Sequence, residues 1–210
     1  EVNLARHVSL HRILEDSFRM NTLLINCSVD DVNSTGSTAH SDIIQSGGAP
    51  ADNFIVYGLK ATNARSQGIY INGHGWALIN ILIQQPGGSS RLWQIDNDNG
   101  VIADNILIWH VTTLNQTLLW RNGNSTYSAK DISIKNNNFH AMGFGSSSAG
   151  DLTNVSYMLS VMDIENNHFS SGTAYGTGAS SGNSGIDSSF RPLQNSVLRN
   201  RISEVIVPVD

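Results

Sequence analysis

The segment Ile132-Ser-Ile-Lys-Asn-Asn-Asn-Phe139 returns as Met162-Asp-Ile-Glu-Asn-Asn-His-Phe169 and, more loosely, as Ser196-Val-Leu-Arg-Asn-Arg-Ile202. Earlier stretches share its apolar pattern: Leu23 to Val29, Phe54 to Leu59, Leu78 to Ile83 and Ile106 to Val111. The closing apolar residues fall at Val29, Leu59, Ile83, Val111, Phe139, Phe169 and Ile202, in steps of 24 to 33 residues. A second apolar register lies between them. Aligning Ile44, Ile69, Trp93 and Leu119 gives steps of 25, 24 and 26 residues. Two short strands per repeat, bounded by Gly, Asn, Asp and Ser, describe a unit that cannot bury its apolar face alone and must stack on its neighbours. Strands that do this build a parallel β-solenoid, so the expected class is all-β with about seven or eight coils.

Composition points the same way and removes several functions. The 210 residues include 23 Asn and 19 Gly, which favour turns and weaken helices. That length buries a core without metal or disulfide staples, and the single Cys27 does not identify a redox compartment. Only 14% of residues are charged, the net charge is −5, and no Lys/Arg run occurs, so the basic footprint of a nucleic-acid binder is missing. The longest strongly apolar stretch, Trp76 to Ile83, is far shorter than the roughly 18 residues of a membrane span. Neither nucleic acid nor membrane is an expected partner. The N-x-S/T sequons are as frequent as chance gives in a chain this rich in Asn and Ser, and carry no case for glycosylation.

At a bend between short strands one residue often takes the left-handed conformation, which Asn tolerates, and its amide can bond the equivalent Asn one rung away. Asn137, Asn167 and Asn200 share one repeat position and are expected to form an internal ladder. The repeated I-x-I-x-N-N-x-F unit, together with His40-Ser-Asp42-Ile-Ile-Gln45 entering a strand, resembles the right-handed parallel β-helix superfamily typified by pectate lyases, from about residue 21 to residue 205. The resemblance implies right-handed winding, a single-stranded parallel β-helix, a polysaccharide ligand and a place outside the cell or on its surface. It leaves activity open, because the repeat is specific for fold.

Residues 1–20 depart from the repeat, and residues 21–210 form the expected β-helix domain. Leu10, Ile13, Leu14 and Phe18 sit at helical spacing, which suits a short capping helix, whereas Val2, Leu4, Val8 and Leu10 equally suit an edge strand. Val205 to Val209 reads as a final strand, with Pro208 acceptable only at an edge. Neither end carries a long cap, so a homo-oligomer or a head-to-tail filament is an expected assembly. A structural or adhesive rod of the tailspike kind is the alternative to a carbohydrate-processing protein.

Connections between strands are long at Asp30 to Ala39, Gly143 to Asn154 and Ser170 to Ser184, and short at Thr62 to Ser66, Gln84 to Ser90 and Thr112 to Gln116. Leaving the stack at one corner, they would wall a lateral groove. With Ile44, Ile69, Trp93 and Leu119 inward, alternation turns Gln45, Tyr70, Gln94 and Trp120 outward, followed by Gly47, Asn72, Asp96 and Asn122. Amides, a carboxylate and aromatic faces in one lane suit an extended sugar chain, and an ordinary exposed β face would carry similar residues.

For cleavage, His40 or an Arg is the candidate base, Asp42 the residue that orients His40 and raises its pKa, and Arg91 the cation that neutralises a uronate carboxylate, with Arg65 and Arg121 as further cations. A corner network satisfying turn backbone groups explains His40 and Asp42 equally well. A glycosidase needs two carboxylates across the groove, for which Asp42 and Asp96 are the available pair. His74 in Gly73-His-Gly75 is similar to a polygalacturonase motif without its preceding aspartates, and the Asp cluster of calcium-dependent pectate lyases is missing. No cofactor is expected. Asp96-Asn-Asp-Asn-Gly100 could hold Ca2+ only weakly, since Leu107 stands where a bidentate Glu belongs. Gly172 to Gly185, rich in Gly and Ser, reads as a mobile loop or an assembly surface.

Overall fold

The computed structural model describes residues 3–19, 22–32, 41–45, 52–64, 67–71, 73–84, 93–96, 104–114, 117–122, 130–146 and 159–182. Its strands are, in chain order, β1 (Asn3–Arg6), β2 (Ser9–Ile13), β3 (Phe18–Arg19), β4 (Thr22–Val32), β5 (Asp42–Gln45), β6 (Ile55–Thr62), β7 (Gln67–Ile71), β8 (Ala77–Gln84) and β9 (Trp93–Asp96). There follow β10 (Asp104–Leu114), β11 (Thr117–Asn122), β12 (Lys130–Lys135), β13 (Asn138–Phe139), β14 (Ala141–Ser146), β15 (Met162–Glu165), β16 (His168–Phe169) and β17 (Ser180–Ser181). One helical turn lies at 159–161.

The chain is all-β, and its strands pair in parallel within two sheets. The first sheet runs β1-β4-β6-β8-β10-β13-β16-β17, with β2 also beside β4 and β12 between β10 and β15; the second runs β3-β5-β7-β9-β11-β14. From β3 to β14 the chain crosses back and forth between the two, so each return lays a strand beside the one laid a repeat earlier. Residues 3–13, where helix and edge strand were both open, form strands: β1 pairs Asn3 to Arg6 with Thr22 to Ile25, and β2 continues along β4. The capping helix is therefore corrected to an edge strand. The apolar spacing permitted either, and pairing with β4 satisfies the backbone groups that an isolated short helix would leave to water.

Residues of like kind fall in columns through the interior. Leu24, Val56, Leu78, Ile108, Ile134 and Ile164 follow one another in register, and all are buried. Phe54 stacks on Trp76 at 4.5 Å between ring centres, and Phe139 on Phe169 at 6.0 Å. Each such aromatic pair adds about 1 kcal/mol beyond area burial.

Bends are built by residues at positive φ. His7, Asn26, Gly58, Asn80, His110, Asn136, Asn166 and Gly178 all have φ between 50° and 69°, and strand register places them one above another. Asn is the non-glycine residue best suited to that conformation. The Asn-Asn doublets thus divide two tasks that the sequence assigned to one residue: Asn136 and Asn166 make the bend, and Asn137 and Asn167 point inward.

The expected ladder forms between those two. Asn137 Oδ1 accepts from the Val111 N–H at 2.8 Å while its Nδ2 donates to the Ile108 carbonyl at 3.0 Å. Asn167 Oδ1 accepts from both the Asn137 N–H and Asn137 Nδ2, each at 2.9 Å, and its Nδ2 donates to the Ile134 carbonyl at 2.7 Å. Asn200 lies outside the described residues.

The Gly/Ser-rich segment corrects another expectation. Rather than a free loop, Thr177 to Gly182 continues the first sheet: Thr177 bridges Glu165, and β17 pairs with β16. Tyr175 closes edge-on against Phe144 at 5.3 Å and Phe169 at 6.2 Å. Hydropathy gives no hint of this strand because its packing rests on the backbone. At Gly176 a Cβ would fall 2.1 Å from the Ile164 carbonyl oxygen, with φ at +92°. Gly176→Ala is accordingly expected to cost about 2 kcal/mol or more and to detach this last strand. Limited proteolysis cutting within 170–182 in the variant and sparing the parent checks it.

Candidate functional site

Strand register on the second sheet decides which of the expected groove residues are neighbours. Arg19 lies beside Gln45, Gln45 beside Tyr70, Tyr70 beside Gln94, and Gln94 beside Leu119. Next to this lane in register run Phe18, Ile44, Ile69, Trp93, Leu118 and Met142, of which Phe18, Ile44, Ile69, Leu118 and Met142 are buried. The lane therefore holds three expected residues, Gln45, Tyr70 and Gln94, in consecutive strands, and Arg19 extends it. Gln45 and Tyr70 are half-buried and Arg19 is exposed. At a strand spacing of about 4.8 Å, Arg19 to Gln94 spans about 14 Å.

One alignment is off by a single residue. Leu118, not Leu119, stands in register with Trp93, so Trp120 pairs with Ile95 and with Phe144, and Leu119 takes the position beside Gln94. A slip of one position exchanges the two faces of a strand, and the unbroken apolar run Leu118-Leu119-Trp120 offers no alternation to fix it. The same shift places Arg121 opposite Asp96, where Asn122 was expected. Asp96 and Arg121 are thus adjacent in register. His40, Gly47, Arg65, Asn72 and Arg91 lie outside the described residues, as do most of the connections expected to wall the groove and residues 97–100 of the weak calcium turn.

Asp42 is not at a rim. It sits at the start of β5 with no solvent exposure, flanked by the equally buried Ser41 and Ile43. Its backbone N–H donates to Asp16 Oδ1 at 2.9 Å, its carbonyl accepts from the Ser17 N–H at 2.9 Å, and Ser41 Oγ donates to the Leu14 carbonyl at 2.8 Å. Asp16 Oδ2 meets Arg19 Nε at 2.6 Å. Burial, reinforced by the Asp16 carboxylate and opposed by Arg19, pushes the Asp42 carboxyl up to about 7. A perturbed acid often marks a working site, but this one is sealed beneath the surface, out of reach of a polymer on the outer face. The residue that fastens the corner is Asp16, which sequence reasoning missed. The bond to Asp16 in turn holds the Arg19 guanidinium more firmly protonated.

Two further polar clusters come from neighbouring strands. Asp30 accepts from Thr62 Oγ1 at 2.7 Å and Asn63 Nδ2 at 2.8 Å and pairs with His11 Nδ1 at 2.9 Å, which together hold its carboxyl below the usual range, the Thr62 bond most strongly. His74 pairs with Asp52 at 3.0 Å in an exposed position. An open depression of about 700 Å³ lies beside β12 and the turn at 159–161, lined by Lys130, Asp131, Ser133, Ser160 and Asp163 among others. Among the described residues, no three His, Cys, Asp or Glu side chains gather as metal ligands, and no helix is long and apolar enough to cross a membrane. Compared with protein-family models, curated proteins and solved structures, the chain matches none.

Proposed function

We propose that this chain is a right-handed parallel β-helix that binds an extended polysaccharide along the outer face of its second sheet, outside the cell or at its surface. The winding is supported by the passage of the chain between two parallel sheets and by the Asn137/Asn167 ladder; its hand rests on the likeness of the repeat to the pectate-lyase superfamily. The observation that carries the ligand is the register of Gln45, Tyr70 and Gln94 in three consecutive strands. A tyrosine ring offers an apolar face to a sugar, and amides both donate to and accept from hydroxyls. Arg19, exposed at one end of the lane, adds a cation for acidic sugars. Binding is the reading proposed, with no catalytic role for Asp42, which is enclosed.

Affinity electrophoresis of the full chain through gels containing neutral or uronate-rich polysaccharides tests this. At least one polymer is expected to retard the protein, and Tyr70→Ala is expected to weaken that affinity about tenfold, the loss of one ring contact of about 1.4 kcal/mol, with the β-sheet circular dichroism unchanged. Retardation by no polymer, or a Tyr70→Ala variant that migrates as the parent does, would overturn the assignment.

A further inference from the structure

The outward side of the first sheet bears a second surface, independent of the carbohydrate lane. In one lane Arg6 lies beside Ile25, followed by Tyr57, Ile79 and Trp109, and the lane ends at Lys135 and Glu165. The parallel lane runs from Leu4 beside Leu23 through Ile55, Ala77 and Leu107 to Ser133 and Asp163. Leu4 and Ile55 are 59% and 42% exposed, and the intervening apolar residues are half-buried. Two adjacent apolar lanes on the solvent side of a sheet form a contiguous patch of the kind that marks a protein contact. Charge is distributed unevenly along it. Arg6 stands at one end. At the other, Asp163 and Glu165 outnumber Lys135, which contacts both.

We propose that this face pairs with the same face of a second copy in antiparallel orientation. A two-fold axis lying between the copies over the Ile79 strand, parallel to the strands, sets Arg6 of each copy opposite Glu165 of its mate, Tyr57 opposite Trp109, Ile55 opposite Leu107, and Ile79 against Ile79. Parallel packing would instead oppose Arg6 to Arg6 and Glu165 to Glu165, and like charges disfavour it. The antiparallel arrangement is isologous and closes at two copies, so it differs from head-to-tail stacking through strand edges.

Sedimentation equilibrium of the full chain over a concentration series into the high micromolar range is expected to show a reversible species of twice 22.7 kDa. Ile79→Lys, at the centre of the patch, is expected to leave a folded monomer. Because that substitution could disturb folding, charge reversal at the rim provides a second test. Arg6→Glu or Glu165→Arg alone strikes both symmetry-related pairs and weakens the dimer roughly tenfold, and the two together restore it. A monomer at every concentration, an assembly larger than two, or a dimer indifferent to Ile79→Lys and to both reversals would overturn the proposal. Polysaccharide retardation by the monomeric variants stays as in the parent, which separates failure of this contact from failure of the carbohydrate lane.

Discussion

Asn167→Ala is expected to lower the melting temperature by about 10 °C, a loss of roughly 3–5 kcal/mol in a chain of this size. The side chain serves three buried partners: the Asn137 N–H, Asn137 Nδ2 and the Ile134 carbonyl. Alanine leaves all of them without that partner where water has little access, and an unmade bond to a buried polar group costs about 1–3 kcal/mol. Asn137→Ala is expected to be costly too, since the Val111 N–H and the Ile108 carbonyl lose their partners. The double variant should fall short of the sum of the single effects by at least about 1 kcal/mol, because the bond between the two amides can be lost only once. Asn166→Gly serves as the comparison. It keeps the left-handed bend at φ 54° and should change stability by about 0.5 kcal/mol or less, as glycine adopts that conformation freely. Melting curves for the four variants check the ladder, and a loss at Asn167 no greater than at Asn166 would show that it carries no special weight.

The contrast between these neighbouring asparagines shows what was legible in the sequence and what was not. Period-two alternation found the interior columns, yet Val29, Ile83, Phe139 and Phe169 share one column while Leu59 and Val111 belong with Cys27 and Ile81 two residues away. That slip of two was harmless because it keeps a residue on the same face. The slip of one at Leu119 was not harmless, and it moved Trp120 out of the lane. Alternation also held the answer for Asp42. It lies two residues before the inward Ile44, so the same parity turns Asp42 into the core. Chemistry suggested a rim; geometry had already placed it inside. The apolar outward lanes of the first sheet were hidden for a related reason. Leu23-Leu24-Ile25 and Ile55-Val56-Tyr57 are apolar on both faces, and a continuous run reads as buried throughout. Asp16 escaped notice because its role depends on a strand 26 residues later, a distance at which sequence spacing says nothing about contact.

The enclosed Asp42 makes stability fall as pH rises from about 4 to about 7, opposite to the usual behaviour of paired carboxylates. In the unfolded chain an aspartate titrates near about 3.9, and in the folded chain Asp42 titrates at about 7. Between those values the folded state holds a proton that the unfolded state has released, so the unfolding free energy declines with pH by up to about 1.4 kcal/mol per unit. The stability due to the neutral acid is complete below about pH 4, is lost as pH rises toward 7, and amounts to roughly 4 kcal/mol in all. Asp30, whose carboxyl is held below its ordinary range, acts in the opposite sense, its contribution lost only as pH falls through that lowered value, outside this window. Asp42→Asn keeps the shape and removes the titration, so the variant is expected to lack this slope and to exceed the parent by roughly 4 kcal/mol at pH 8 while matching it near pH 4. Arg19→Ala removes the cation that opposes the shift and should move the midpoint of the decline to higher pH. Urea unfolding followed by tryptophan fluorescence at intervals from pH 4 to 9 measures all three. Curves for Asp42→Asn and the parent that run parallel across the range would mean that this carboxyl is charged in the folded protein, and with it would fall the argument that Asp42 is closed off from the outer face.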